Sequence, residues 1–448
     1  MAWRLQGRSV IVVGAGLAGL TAAIEVMKDG ARVTVIEAQG RVGGRVLTVR
    51  GAFAGGQHAE AGGDFIDDGH DAIKRIATDC RLKLRRILKQ GFSFIPYQTT
   101  HRHRKKPLSG DVLWDRLSAA LCPLVHAYRL GEERWDSAVA QSLASRSVAQ
   151  WLDETKADAD LRAIVRGLRG FFLADPEELS LLTLVDQLAS DVPGQEPMYR
   201  IEGGNDRLPH ALARRLGDAV HCHAVAKAIH QDGASVRLTV ETATAETAQL
   251  KADYCILAVP ATTLRSIDIR PAFPSLQAEA IARLKYGRVT KTLLQFDSPF
   301  WRRKGQRRAV GTDAPTGAMW DANEEQRGSR GILTLMAGAQ ASEDSQKLVA
   351  QDGIDGLVRS LQWFGAGTAQ LLHSRMVVWE EDPWTRGGYA YFDSGFDPSL
   401  RQWLARPCGR MLFAGEHTSL KWQGYMNGAV ESGLRAAAEV WALASRKI

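Results

Sequence analysis

At 448 residues, with 45% hydrophobic and 24% charged side chains, the chain is globular in composition and too long for one ordinary core; two domains are expected. No run approaches the roughly 18 uninterrupted apolar residues of a membrane span, and Met1 to Arg8 leads directly into a strand without room for a signal peptide, so a cytoplasmic protein with no membrane partner is expected. The net charge of +7 permits an anionic partner, but its clusters, His101 to Lys106, Arg302-Arg303-Lys304 and Arg307-Arg308, lack interleaved aromatics and a nucleic-acid motif, which predicts solvated loops and no nucleic-acid partner.

The first apolar run, Val10-Ile11-Val12-Val13, leads into Gly14-Ala15-Gly16-Leu17-Ala18-Gly19, and Glu37 ends the next run. The pattern predicts strand, glycine turn, helix and strand. Gly14 suits the tight turn, Gly16 lets backbone approach a pyrophosphate, Gly19 lets helix pack on strand, and the helix opening at Leu17-Ala18 presents N–H groups to the phosphates. Glu37 can accept hydrogen bonds from ribose hydroxyls and disfavours a 2′-phosphate. A dinucleotide is therefore expected here. Arg41-Val42-Gly43-Gly44-Arg45 follows at once, and its glycines beside the pyrophosphate favour a flavin dinucleotide over a nicotinamide one.

Further along, Ala59 to Ile66 reads as a short extended piece whose Gly62-Gly63 pair lets backbone approach a flat ligand, or as a bulge or turn. From about Asp71 to Gln195 the pattern is helical, with a capped start at Ser147 and apolar residues at helical spacing from Leu161 to Phe172, as in an insertion separate from the nucleotide fold. A helix is predicted over Asp206 to Leu216 and strands through Val236 to Val240. Tyr254 to Val259, continuously apolar, reads as a buried sheet strand. Strands at Val289 to Phe296, Ile332 to Met336 and Ser374 to Trp379, with two helices around Ser345 to Trp363, predict a second sheet. Arg410 to Trp441 reads strand, loop, glycine, helix.

Phe364 to Gln370 contains a second GxG, but a glutamine stands at its sixth position and a helix precedes it. With no second dinucleotide motif, re-oxidation by O2 is favoured over reduction by a nicotinamide. The five cysteines, Cys80, Cys122, Cys222, Cys255 and Cys408, show neither CxxC nor metal-ligand spacing and read as reduced thiols, and no metal is expected.

Taken together, these segments resemble the flavin-containing amine oxidases, the family of monoamine, polyamine and L-amino-acid oxidases and flavin histone demethylases. The resemblance runs end to end. Beyond the first glycine turn it rests on Gly203-Gly204 before a helix, Ala252 to Pro260, Val289-Thr290-Lys291 before Ser298-Pro299-Phe300-Trp301, Trp379 to Tyr391, and Phe413-Ala414-Gly415-Glu416 through Trp422-Gln423-Gly424-Tyr425-Met426. It implies an α/β architecture: a doubly wound, Rossmann-like FAD domain of the glutathione-reductase type (1–70, 198–287 and 386–448) and a discontinuous α+β substrate domain (71–197 and 288–385).

The resemblance also implies roles. Glu37 holds the ribose, Arg41 and Arg45 lie near the diphosphate, and Val225 contacts adenine through its backbone. Gly415, Glu416, Tyr425 and Met426 lie under the ribityl chain and the flavin's pyrimidine edge. Lys291 holds a water against flavin N5; its rival reading is an edge-strand lysine in solvent. Tyr389 and Tyr425 stand perpendicular to the flavin and steer a neutral amine, unless they are core tyrosines or Tyr391 takes the place of Tyr389.

Departures from the family count equally. The flavin-linking cysteine of the mitochondrial monoamine oxidases is absent, since the stretch reads Gly387-Gly388-Tyr389, so FAD is expected to bind noncovalently. No arginine follows Gly63 to clamp an α-carboxylate. Asp67 and Asp68 either attract the distal ammonium of a diamine or form a solvated acidic turn. The implied activity is FAD-dependent oxidation of a primary or secondary amine, with O2 reduced to H2O2. The alternatives are a diamine, polyamine or L-amino-acid oxidase, a flavin dehydrogenase or desaturase, and a partner-dependent flavoprotein. A homodimer is left open.

Overall fold

The computed structural model describes residues 4–97, 110–190, 197–302 and 308–445. His101 to Lys106, Arg303, Lys304 and Arg307 lie outside the described residues. Arg302 and Arg308 lie within them and are paired with Asp321 and Glu324.

Five parallel strands form the first sheet: Ser9–Val13, Arg32–Ile36, Val220–His221, Tyr254–Leu257 and Met411–Phe413. Numbered along the chain within this sheet, their spatial order is 3-2-1-4-5. This is the doubly wound arrangement, in which the crevice for a ligand opens outside the carboxyl ends of strands 1 and 4, where the strand order reverses. Alternation along the first strand explains the layering. Val10 and Val12 pack with helices Leu17–Lys28 and Met426–Ser445 on one face, while Ile11 and Val13 face a second layer holding Ile229, Val236 and Leu238. That layer is a four-stranded sheet built from Val225–Gln231, Val236–Glu241, Thr247–Ala252 and Asp268–Arg270.

A six-stranded sheet makes up most of the second region, in the order Leu371–Val378, Val289–Phe296, Gly331–Gly338, Ala318–Asp321, Ala309–Gly311, Ser93–Phe94. The short strands Ala309–Gly311 and Ala318–Asp321 are additions to the sequence reading. Leu294 and Phe296 face a core shared with helix Gln340–Arg359, whereas Leu293 packs on Phe53, Ala59 and Ala61 of the first region. Lys291 therefore belongs by alternation to the face turned towards the nucleotide fold. Of the two helices expected around Ser345 to Trp363, the first is a single element broken at Gly353 (φ 67°) and the second is a short turn, Gln362–Phe364.

Helices between residues 110 and 190 form a third packed unit around Trp151, Ile164 and Val185. Among them Val148–Glu154 starts with a reciprocal cap, Ser147 and Gln150 each bonding the other's backbone N–H.

One domain boundary needs correction. Helix Asp71–Asp79, expected to open the substrate domain, buries Ile73, Ile76 and Ala77 in the core of the parallel sheet, and Asn427 Oδ1 of the terminal helix accepts the Ile73 N–H at 3.0 Å. Leu84 still packs on this core, while Ile87 and Leu88 belong to a cluster with Trp320. The crossover to the second region therefore falls near residue 85.

Candidate active site

A cavity of about 590 Å³ runs from the carboxyl ends of Ser9–Val13 and Tyr254–Leu257 to the face of the six-stranded sheet. At its first end each glycine has a separate reason to be one. Gly14 holds φ 104°, and a Cβ there would stand 2.7 Å from Ala258 O; a Cβ on Gly19 would stand 1.9 Å from Gly14 O. A Cβ on Gly16 would meet nothing within 4 Å, because Gly16 faces the cavity. Gly16 caps helix Leu17–Lys28 without a side chain, so the opening N–H groups, which lack intrahelical partners, are offered to a ligand.

Glu37 is 7% exposed and takes the Ala15 N–H at 2.7 Å on one oxygen and the Gln39 N–H at 2.9 Å on the other. Burial raises its carboxyl above the ordinary range, and these two backbone donors oppose the rise. Each oxygen keeps a lone pair for a ribose hydroxyl. Val225 lines the cavity beside it. This end fits the adenosine and pyrophosphate of a dinucleotide, since the glycine turn leaves open exactly the space that a side chain would fill.

Farther in, Gly44, Arg45, Gly62 and Gly63 line the wall. A Cβ on Gly62 would stand 2.0 Å from Arg45 O, and one on Gly63 2.9 Å from the Met426 sulfur, so both glycines allow segments to pass in contact. Arg45 Nη1 bonds Glu416 Oε1 at 2.8 Å and Gly388 O at 2.6 Å. Glu416 also accepts from Ala390 N at 3.3 Å and Gly424 N at 2.9 Å, which ties together the glycine-arginine segment, the Tyr389 segment and the Tyr425 loop. Gly415 (φ 136°) precedes it. Met426 opens the terminal helix at the cavity, alongside the first helix: a Cβ on Gly433 would stand 2.4 Å from Ala18 O. Two helix N-termini, both preferring negative charge, thus open on one space.

The far end is aromatic. Phe65, Phe171, Phe172, Trp320, Tyr389 and Tyr425 line it, with the rings of Phe65 and Trp320 4.9 Å apart. Tyr389 donates its hydroxyl to Phe171 O, and its ring lies against Gly424, where a Cβ would stand 3.3 Å from Cδ2. Burial pushes its phenol well above the ordinary range, so it stays neutral. Tyr391 also lines the cavity, but its hydroxyl bonds Glu178 Oε2 at 3.2 Å and its ring joins the helical core. Behind Tyr425 stands the fully buried His70, edge-on at 5.0 Å; burial lowers it to about 3, keeping it neutral.

Lys291, 3% exposed, donates to Gly62 O at 2.9 Å and to Asp64 Oδ2 at 3.0 Å. The edge-strand reading is thereby excluded, for its strand is hydrogen-bonded on both sides.

Arg41 is absent from the cavity lining; its guanidinium bonds Val42 O and lies within the field of Asp382 and Glu37. Asp67 and Asp68 do not line the cavity either. They sit on a turn facing His70, Lys74 and Tyr199, which favours the structural reading of that acidic pair. Conversely, Asp64, Trp320 and Phe171 were not singled out from the sequence. Asp64 carried one signal, an acid directly after a glycine pair that approaches the ligand.

The profile of the family described as flavin containing amine oxidoreductase matches residues 17–441. The flavin-containing amine oxidase of Danio rerio is 28% identical, the alignment covering 96% of this chain and 85% of that protein. A triple mutant of putrescine oxidase, solved in a redesign of cofactor binding, is 25% identical with a TM-score of 0.85, covering 97% of this chain and 99% of the other. Cyclohexylamine oxidase from Brevibacterium oxydans shares the fold at a TM-score of 0.86 and 24% identity, over 98% of this chain and 100% of that one.

Proposed function

Because the chain belongs to the flavin-containing amine oxidoreductases, and so acts on amines with FAD as cofactor, we propose that it oxidises a primary or secondary monoamine with an apolar body and passes the electrons to O2. One observation carries this reading: the dinucleotide cradle leads without interruption to an aromatic chamber holding Lys291, Tyr389 and Tyr425.

FAD, when bound, supplies the two-electron acceptor at N5. The protein's part is placement and desolvation. Glu37, Val225 and the first helix N-terminus hold the adenosine and pyrophosphate, and Arg45, Glu416 and the second helix N-terminus hold the ribityl and pyrimidine portion. Tyr389 and Tyr425 steer the substrate nitrogen, while the apolar chamber lowers the ammonium's pKa by disfavouring its charged form, so the amine enters neutral. Loss of two electrons and two protons from the CH–NH unit leaves an imine, which water hydrolyses to a carbonyl compound and ammonia or a smaller amine. O2 takes the two electrons with two protons to give H2O2. Lys291 keeps an ammonium at the wall of this space.

The charges favour a monoamine. Every carboxylate lining the cavity among the described residues is already engaged: Glu37 by backbone N–H groups, Asp64 by Lys291, Glu416 by Arg45, and Asp186 by the Tyr128 hydroxyl at 2.7 Å. A second ammonium would have to share one of these carboxylates with the donor it already has. Lys421, also in the lining, adds a positive charge beside Trp422 and opposes one.

No cysteine or histidine lines the cavity among the described residues, which supports noncovalent FAD. All five cysteines are free and no described helix is long and apolar enough to cross a membrane; the free thiols support a reducing compartment, the cytoplasm. The reading is tested by mixing the purified protein anaerobically with a panel of amines and following flavin absorbance, then admitting O2 and measuring H2O2.

A further inference from the structure

Asp64 is among the most densely engaged side chains near the cavity. Its Oδ2 accepts from Lys291 at 3.0 Å and from Trp320 Nε1 at 2.9 Å, and its Oδ1 accepts from Arg200 Nε at 2.5 Å. Asp64, Lys291 and Arg200 are all buried. A buried ion pair alone is weak evidence of function, because desolvation offsets most of its attraction. The orientation is more informative. Arg200 is fixed from behind by Ala322 O and Glu325, and does not reach the cavity. Lys291 does reach it, and its other bond is to Gly62, a residue of the cavity wall. The cluster is layered, with an anchored guanidinium outside, a carboxylate between, and an ammonium at the cavity.

We propose that Asp64 is a positioning residue for Lys291: braced by Arg200 and Trp320, its carboxylate fixes the ammonium at the flavin wall as a cation. This rests on the reading of the cavity as a flavin site and adds to it the charge state of one residue and the group that sets it.

The surrounding groups agree in sign. Burial drives the Asp64 carboxyl up, but Arg200 and Lys291 override it and hold it below the usual carboxylate range, so the aspartate is ionised. Burial lowers Lys291 below the usual lysine range, and the charge and hydrogen bond of Asp64 work against that fall. Glu60 adds a weaker attraction, its own carboxyl being pushed up to about 8 by burial and by Asp64, and Arg200 repels. The strands on either side present Met336 and Val377 opposite Lys291, which carry no charge. Among the described residues Asp64 is thus the one full negative charge bonded to this lysine.

In Asp64→Asn, Lys291 faces Arg200 with no anion between them. The test uses the holoprotein and reads the absorbance of its bound oxidised FAD between about pH 6 and 10. The step due to Lys291 is expected to move down by about two pH units relative to wild type, an adjacent opposite charge being worth about one to three. It is expected to return towards wild type in Asp64→Glu and to vanish when Lys291→Met is added. If Asp64→Asn does not accumulate with FAD, Asp64→Asn with Arg200→Met removes the pair together, the change a core tolerates best, and a step lowered by less than in Asp64→Asn is expected, because the repulsion from Arg200 is lost with it. An unmoved step, no step in the Asp64→Asn protein, or a step surviving Lys291→Met would overturn the proposal. So would loss of FAD from the single, double and Glu variants alike, which would make Asp64 purely structural. The spectrum needs no substrate, so the proposal can fail while amine oxidation stands, and amine oxidation can fail while the step behaves as described.

Discussion

Arg45 and Glu416 form an ion pair at 2.8 Å across 371 positions of sequence, and this pair closes the cavity. Its two side chains bring the segment after the second strand against the segment before the terminal helix. Glu416 further receives the backbone N–H groups of Ala390 and Gly424. In Glu416→Gln the guanidinium loses its one carboxylate partner among the described residues while the hydrogen bonds partly survive. A loss of up to about 3 kcal/mol in stability is expected, below the full cost of a broken buried pair. Thermal unfolding and retained flavin absorbance check this. A protein as stable and as yellow as wild type would contradict it.

The glycine turn separates binding from folding. Gly16→Val puts a side chain into open space, so the apoprotein is expected to unfold at the wild-type temperature while FAD affinity falls by at least about a hundredfold, the cost of a lost backbone–pyrophosphate approach. Gly19→Val is expected not to fold, because its Cβ would lie within 1.9 Å of Gly14 O. Calorimetry of both apoproteins with FAD titration distinguishes them. Equal FAD binding by Gly16→Val and wild type would remove the pyrophosphate from this turn.

The noncovalent attachment of FAD has a simple check. Acid precipitation is expected to leave all the flavin in the supernatant and a colourless pellet. Cysteine at residue 388 is not expected to capture the flavin, since its Cβ would fall 2.5 Å from Leu173 Cδ1 and 2.6 Å from Val289 Cγ1. A yellow pellet from wild type would refute this.

Acid sensitivity follows from His70. In the folded protein burial holds it at about 3, whereas the unfolded chain titrates near 6.5. Between these values the unfolded chain binds a proton that the folded one does not, so stability present above pH 6.5 declines as pH falls. In His70→Phe, Tm is expected to fall less than in wild type from about pH 7 to 5. Equal slopes for the two proteins would assign the acid loss to other groups.

What the sequence reveals here is what local pattern encodes. The strand at Tyr254–Leu257 announces itself by continuous apolar residues, and the turn at Gly14 to Gly19 by a spacing only a close backbone approach requires. Their partnership in one parallel sheet at the switch point follows from that class of fold. Arg200 was silent and Asp64 marked only by the glycine pair before it, because their meaning is a meeting across 136 positions. Helix Asp71–Asp79 was legible as a helix, with Ile73, Ile76 and Ala77 on one face; which core receives that face is decided by Asn427, 354 positions later. Phe171 had the spacing of a core residue, and only its meeting with Tyr389, whose hydroxyl it receives on its carbonyl, places it at the cavity.

The central claim is that the aromatic chamber oxidises monoamines through a flavin. Anaerobic titration of the yellow holoprotein with apolar monoamines, α,ω-diamines and L-amino acids tests it most directly. The visible flavin absorbance is expected to bleach with at least one apolar monoamine, to do so far more slowly with the diamine of equal length, and to recover on admitting O2 with one H2O2 formed per flavin. Bleaching by diamines or amino acids alone would contradict the monoamine reading, and absence of bleaching across the panel would contradict amine oxidation by this site.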